Sequence, residues 1–517
     1  MSNDRLEADS AARGSTTDRE ARFEWWRRTV GLFLGPAAFL LVLVLPFPDL
    51  PRDSHRLAAV VSLVVVWWVT EAIPIAATAL LGAALTVVTG VSSAQEALAP
   101  FASPTIFLFI GSFVLAEAIA EHGLDRRLAM GLVRQPGIRG RPLRLRIAVG
   151  ALTAGLSMWL SNTATTAMLF PVVLGLLGGS ARAVTDRRGA TGFLLVLAYA
   201  ASIGGIATPV GTPPNLITLG MLDRLAGREI DFFRWMALGV PMAIVMYAGL
   251  TLITRILYPV ARTASQEGVP TPGPGAGASS ADGSPPAPRP WTRGETNCVV
   301  AFGLAVTLWI TPGVLALARG ADSDAYRFVS TRLDEGVVAL LAASLLFLLP
   351  VDWKRRQFTI SWARASRIDW GTILLFGGGL SLGRLMFTTG LAERIGRSLI
   401  ATSGAESLWA VTAVMTAVAI LTTEVTSNTA ATNMLVPVAL AVAKAAGISP
   451  IPPALGVAFG ASMAYMLPIS TPPNAIVYGS GLVPVTAMIR CGLLLDLVSF
   501  AVILAGLRLL CPLLGLL

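Results

Sequence analysis

Long apolar runs separated by short polar stretches recur along almost the entire chain. Runs at about 30–47, 57–72, 74–91, 102–122, 191–225, 233–258, 298–318, 334–350, 369–390, 453–486 and 491–515 come close to the length that crosses a hydrocarbon layer. Two further apolar segments, 147–179 and 404–446, differ from these. Each carries a small polar octet near its middle, SNTATTAM at 161–168 and SNTAATNM at 427–434. The pattern predicts an all-α polytopic membrane protein with about 11 transmembrane helices and two re-entrant hairpins, the octets at the hairpin tips.

The halves resemble each other beyond the octets. TIFLFIGSFVLAEAIAEHGLDRR from Thr105 parallels TILLFGGGLSLGRLMFTTGLAER from Thr372, in a register that agrees within one residue with that of Ser161 and Ser427. TPPN recurs too, at 212–215 and 471–474. An odd number of crossings per copy turns the second copy upside down, so inverted repeats are expected. The expected divisions are a polar cytoplasmic tail at 1–29, a first helix at 30–56, repeat one at 57–262 with a cytoplasmic-side hairpin, a linker at 263–293, and repeat two at 294–517 with an external-side hairpin. The linker is rich in Pro, Gly, Ala and Ser, a composition too poor in apolar side chains to order a core.

Composition agrees with the membrane reading, at 54% hydrophobic and 13% charged. The net charge of +9 raises nucleic-acid binding, but the basic residues sit in short loops between apolar runs. Ten arginines fall between 126 and 188 around the first hairpin, whereas Arg394, Arg397 and Lys444 are the basic residues near the second. Five more basic residues occupy 354–367. The positive-inside rule then places the N-terminus in the cytoplasm and the C-terminus outside, and leaves no nucleic-acid face. The mixed-charge N-terminus is not of signal-peptide type. Cys298, Cys491 and Cys511 lack metal or redox spacing, and His55 with His122 cannot make an ordinary zinc site.

Proline lacks an amide donor and clashes with the preceding turn, so Pro213–Pro214 and Pro472–Pro473 must interrupt their helices. A break exposes carbonyls at one half-helix end and amides at the other, which can serve a cation and an anion together. Ser, Thr and Asn at the tips add hydroxyl and amide oxygens for a hard cation and donors for an anion. No charged residue or histidine occurs at 147–181, 190–222 or 445–489. Carrying a multivalent anion to membrane depth through such neutral surroundings calls for co-bound cations, and sodium is the economical choice. Small polar residues also glue helices together, but paired tips with paired Pro-Pro breaks in matching positions favour a transport site.

Other polar positions read more simply. Glu71 beside Pro74 is expected to cap a helix, and Arg384 to pair with Glu117 or Glu121 or to snorkel. Glu424 either helps neutralise sodium or stabilises its hairpin. His122 reads as interfacial, and the glycines at 377–379 as a close helix contact rather than a phosphate loop.

WWVTEAIP (67–74), SNTATT (161–166), ASIGGIATPVGTPPN (201–215), TEVTSNTAAT (423–432) and STPPNAIVYGSG (470–481) together resemble the divalent anion:sodium symporter family, and the resemblance covers nearly the whole chain after residue 30. It implies a homodimeric elevator-type transporter with scaffold and transport domains, not an enzyme, in a bacterial inner membrane. By motif position, it implies one co-transported Na+ held by Ser157, Ser161, Asn162 and the Gly211 carbonyl. A second would be held by Thr423, Ser427, Asn428 and the Ser470 carbonyl. The anion would touch Asn162, Thr163, Thr212, Asn428, Thr429, Thr471 and Pro472. Sodium-driven import of di- or tricarboxylates is the expected activity, with sodium-independent dicarboxylate exchange and sodium/sulfate symport as alternatives on the same fold.

Overall fold

A computed structural model describes residues 3–47, 50–133, 135, 141–178, 187–260, 290–320, 322–404 and 407–517, with backbone alone for 3–21. The chain begins with α1 (Asn3–Val44), α2 (Arg52–Thr70), α3 (Ile75–Val88) and the short α4 (Ala94–Leu98). Residues 3–29, expected as a loose tail, form the first part of α1. Next come α5 (Pro104–His122), α6 (Leu124–Val133), α7 (Pro142–Ser157), α8 (Asn162–Gly178), α9 (Arg187–Gly205), α10 (Pro213–Ala226) and α11 (Phe232–Leu257). Beyond 261–289, which lie outside the described residues and hold most of the expected linker, the chain resumes with α12 (Arg293–Arg319), α13 (Asp324–Arg332) and α14 (Glu335–Leu348). Thr292 and Glu295 form a capping box, so α12 starts inside the linker's expected end.

A small antiparallel ribbon, β1 (Pro350–Asp352) and β2 (Gln357–Phe358), with Pro350 opposite Phe358, is an addition to the all-helical expectation. Then follow α15 (Trp362–Ala365), α16 (Trp370–Thr388), α17 (Leu391–Ser403), α18 (Leu408–Thr423), α19 (Asn428–Ala446), α20 (Ile451–Ala461), α21 (Pro472–Gly479) and α22 (Val485–Leu513). Among the described residues, seven helices are long and apolar enough to cross a membrane: the 22–44 part of α1, α5, α11, α12, α16, α19 and α22. Each span expected from the pattern falls on a helix or on a broken pair, α9–α10 or α20–α21.

The longest crossing helices outreach the first arm of each hairpin, α7 and α18, though the second arm α19 is itself long enough to cross. The 29 residues of α22 rise about 43 Å, whereas the 16 of α7 and of α18 rise about 24 Å, less than a hydrocarbon core of about 30 Å. Outward faces carry exposed apolar side chains such as Ile244, Ile256, Leu317 and Leu513, as a lipid-facing surface requires. The main apolar core joins α5, α9, α11, α14, α20 and α22, and a second cluster gathers α2, α3, α16 and α17 around Trp67 and Trp68.

Several sequence readings meet their partners here. Glu71 caps α2 in a left-handed conformation with φ 49° and pairs with Arg27 at 3.2 Å. Arg384 does not pair with Glu117 or Glu121. Glu117 is taken by Arg364 at 2.7 Å, one helix before, while Arg384 is exposed with Glu96 nearby. The half-buried His122 ring hydrogen-bonds the Thr359 carbonyl at 2.7 Å. At 377–379, a methyl group on Gly378 would meet the Ala79 backbone, and one on Gly379 would overlap the Asn433 side chain, so the glycines allow helix contact.

Candidate functional site

Each TPPN starts a helix after an opened turn. Thr212 is extended (φ −149°, ψ 145°) and α10 begins with Pro213–Pro214 at its first two positions; Thr471 is extended (φ −143°, ψ 149°) and α21 begins with Pro472–Pro473. The residue before proline is driven to extended backbone, and proline's missing donor costs nothing at a helix start. The opened segments, 206–212 and 462–471, lie between α9 and α10 and between α20 and α21.

The asparagine of each motif locks its opened segment. Asn215 Nδ2 donates to the carbonyls of Gly205 (2.9 Å) and Thr208 (2.7 Å), ten and seven positions earlier. Asn474 Nδ2 donates to Ala464 (3.1 Å) and Leu467 (3.0 Å), at the same separations. Both side chains are fully buried, and both Oδ1 atoms accept no hydrogen bond. Sequence reasoning missed these residues because it assigned each motif's work to its prolines; the signal was the recurrence of Asn at the motif's fourth position.

The hairpin tips repeat the same economy. Ser157 Oγ donates to Asn162 Oδ1 at 2.7 Å, and Thr423 Oγ1 shares its hydrogen between Asn428 Oδ1 at 2.8 Å and the Ala461 carbonyl at 2.7 Å. Each hydroxyl holds the amide oxygen, which leaves the amide NH2 pointing elsewhere as a double donor. Ser161 and Ser427 cap α8 and α19, accepting from Ala164 N at 3.2 Å and Ala430 N at 3.3 Å. Their hydroxyls therefore serve an ion only with the remaining lone pair.

Around the first tip the backbone is crowded. A Cβ on Gly211 would lie 2.5 Å from the Gly205 carbonyl oxygen and 2.9 Å from that of Met158, and one on Gly205 would lie 2.6 Å from Asn162 Oδ1. Thr208 Oγ1 donates a short bond to the Met158 carbonyl. At the second tip, Ser470 Oγ shares its one hydrogen between the Glu424 carbonyl and carboxylate, each at 2.9 Å. That carboxylate also accepts from the backbone amides of Tyr465 (2.7 Å) and Met466 (3.0 Å). These bonds brace the hairpin, one of the two roles open to Glu424.

Of the expected anion contacts, Thr212 and Thr471 are buried, Asn162, Asn428 and Thr429 are half-buried, and Thr163 and Pro472 are exposed. Helix α21 packs on α8, and α10 packs on α19, so each TPPN helix reaches the hairpin of the other half. The helix that leads into the first opened segment also reaches the second. Tyr199, on α9, donates its phenol to the Tyr465 carbonyl at 2.8 Å, and the two rings lie 5.0 Å apart.

This arrangement gathers paired hydroxyl, amide and carbonyl groups at the breaks between apolar helices. Residues 24–517 match the family described as "Sodium:sulfate symporter transmembrane region", and the chain belongs to that family. It is a membrane transporter, not an enzyme. Among its relatives, the "Sodium-dependent dicarboxylate transporter SdcS" of Staphylococcus saprophyticus is 33% identical over 483 residues, covering 92% of this chain and 89% of that protein. The protein of the same name from Staphylococcus aureus (strain bovine RF122 / ET3-1) is 32% identical over 491 residues, with the same coverage. In fold, the chain resembles the YdaH transporter of Alcanivorax borkumensis, with a TM-score of 0.54 at 16% identity over 95% of this chain and 98% of that one.

Proposed function

We propose that the protein imports succinate-, malate- or fumarate-like carboxylates together with sodium. It works as a homodimer in a bacterial plasma membrane, with its N-terminus in the cytoplasm and its C-terminus outside. The observation that carries this reading is the pair of hydroxyl-to-amide bonds, Ser157–Asn162 and Thr423–Asn428, each beside an opened TPPN segment. One sodium sits with Ser157, Ser161, Asn162 and the Gly211 carbonyl, and another with Thr423, Ser427, Asn428 and the Ser470 carbonyl. The freed amide hydrogens of Asn162 and Asn428, with Thr163, Thr212, Thr429, Thr471 and Pro472, face the carboxylated anion. Two inverted repeats, 57–262 and 294–517, divide between a scaffold and a carrier that moves the loaded site across the membrane. Sodium supplies the positive charge that the neutral tips lack, which makes the loaded carrier less costly to bury than the anion alone. The names of the staphylococcal relatives support a dicarboxylate cargo.

Uptake of radiolabelled succinate into liposomes holding the purified protein tests the reading. An inward sodium gradient is expected to drive accumulation, and potassium in its place is not. Rapid exchange into succinate-loaded liposomes without sodium would instead establish an exchanger, and uptake of sulfate but not succinate would move the cargo to sulfate.

A further inference from the structure

Beyond the two tips, one buried polar cluster has no part in the proposed cargo site. Asp496 lies near the middle of the apolar helix α22 and is 5% exposed, yet neither carboxyl oxygen meets a hydrogen-bond donor. Ser499, three residues on and so on the same helix face, is fully buried, and its hydroxyl lies against the Tyr465 phenol without a hydrogen bond of ordinary geometry. Opposite Asp496 stands the Glu424 carboxyl, within hydrogen-bonding reach. Tyr465 lies beside Ser499, and Tyr199 packs on Tyr465. Among the described residues, no arginine, lysine or histidine acts on Asp496 or is paired with Glu424.

The two acids are held differently. Glu424 accepts two amide hydrogens and a hydroxyl hydrogen. Asp496 offers two oxygens that no amide, hydroxyl or basic group meets, with the Glu424 carboxyl as its neighbour. Neighbouring carboxylates at membrane depth cannot both stay charged without a positive partner, and an unsatisfied carboxyl makes poor helix glue. We propose that Asp496, Ser499 and the Glu424 carboxylate form a third cation site, separate from the tips and filled by sodium. Carboxylate and hydroxyl oxygens suit a hard cation. The site lies directly behind the second tip, because the carboxylate that forms its wall also pins the backbone at 465–466 and Ser470. An ion bound there steadies the segment that presents the Ser470 carbonyl to the second tip.

The proposal rests on the sodium-symport reading, so the experiment separates the two. Equilibrium binding of radiolabelled sodium is measured on the purified full-length protein as wild type, D496N, S499A and the N162A/N428A double variant. D496N is expected to bind one sodium fewer per protomer than wild type, and S499A to bind the full number with severalfold weaker affinity for one of them. The double variant should keep a sodium component that adding D496N removes. Equal sodium occupancy in wild type and D496N overturns the third site and leaves symport standing, whereas a wild type that binds no sodium overturns both. If D496N does not fold, an S499A binding curve that superimposes on wild type overturns the proposal. So does an infrared band of a protonated Asp496 carboxyl that sodium leaves unchanged.

Discussion

At the first tip, Ser157 holds Asn162; at the second, Thr423 holds Asn428, and the lengths differ by only 0.1 Å between 2.7 and 2.8 Å. Behind these matched pairs the supports diverge. Where the second half has Glu424, whose carboxylate gathers Tyr465, Met466 and Ser470, the first half has Met158, whose carbonyl is tied by Thr208 alone. Ser161 and Thr163 are exposed, while Ser427 and Thr429 are half-buried. The groups proposed to face the cargo are duplicated, as are the Asn215 and Asn474 locks, but the brace supplied by Glu424 is not. A repeat preserves the chemistry of a site more strictly than its scaffolding, and here the difference amounts to one buried carboxyl group.

The strongest way to break the comparison is to remove either amide. Asn162→Ala and Asn428→Ala are each expected to reduce sodium-driven succinate uptake to background in folded, dimeric protein, measured in liposomes. Loss at one tip alone would show that the tips are not equivalent. Gly211→Ala comes next. With the new Cβ 2.5 Å from one carbonyl oxygen and 2.9 Å from another, the first opened turn must shift, at a cost of about 1–3 kcal/mol, and uptake should fall more than tenfold. Ser470→Ala, at the matching place in the second half, removes bonds without adding bulk and should retain measurable uptake.

Glu424→Gln probes the unequal support. It replaces charge-assisted hydrogen bonds, and thermal unfolding in detergent should report a loss of about 2–3 kcal/mol. Thr208→Val removes the single tie at the first tip and should cost about 1 kcal/mol by the same measurement. A larger loss for Thr208→Val than for Glu424→Gln would reverse the order of the two supports.

Much of this was legible in the sequence because it depends on local rules. Pro-Pro after threonine dictates an opened turn, and SNT before an apolar run dictates a capped helix, wherever they fall. What escaped was set by partners distant in sequence. The work of Glu424 depends on amides 41 and 42 residues away, and no spacing rule reports them. Arg384 looked like the partner of Glu117 because both lie in apolar spans, yet the turn at 361–367 brings Arg364 nearer. Asp496 stood inside an apolar run without any motif around it, and only its buried, unpaired oxygens single it out. The polar residues at 3–29 lacked an apolar stripe, so the pattern offered no reason to extend α1 through them.

The phenol of Tyr199, on the helix that leads into the first opened segment, bonds the carbonyl of Tyr465 within the second and so links the two breaks. Whatever ion orders one segment thereby removes part of the conformational entropy that the other would lose on binding. Sodium activation of uptake is therefore expected to be cooperative, with a Hill coefficient above one in the wild type, and Tyr199→Phe should lower it while leaving every ion-contacting oxygen in place.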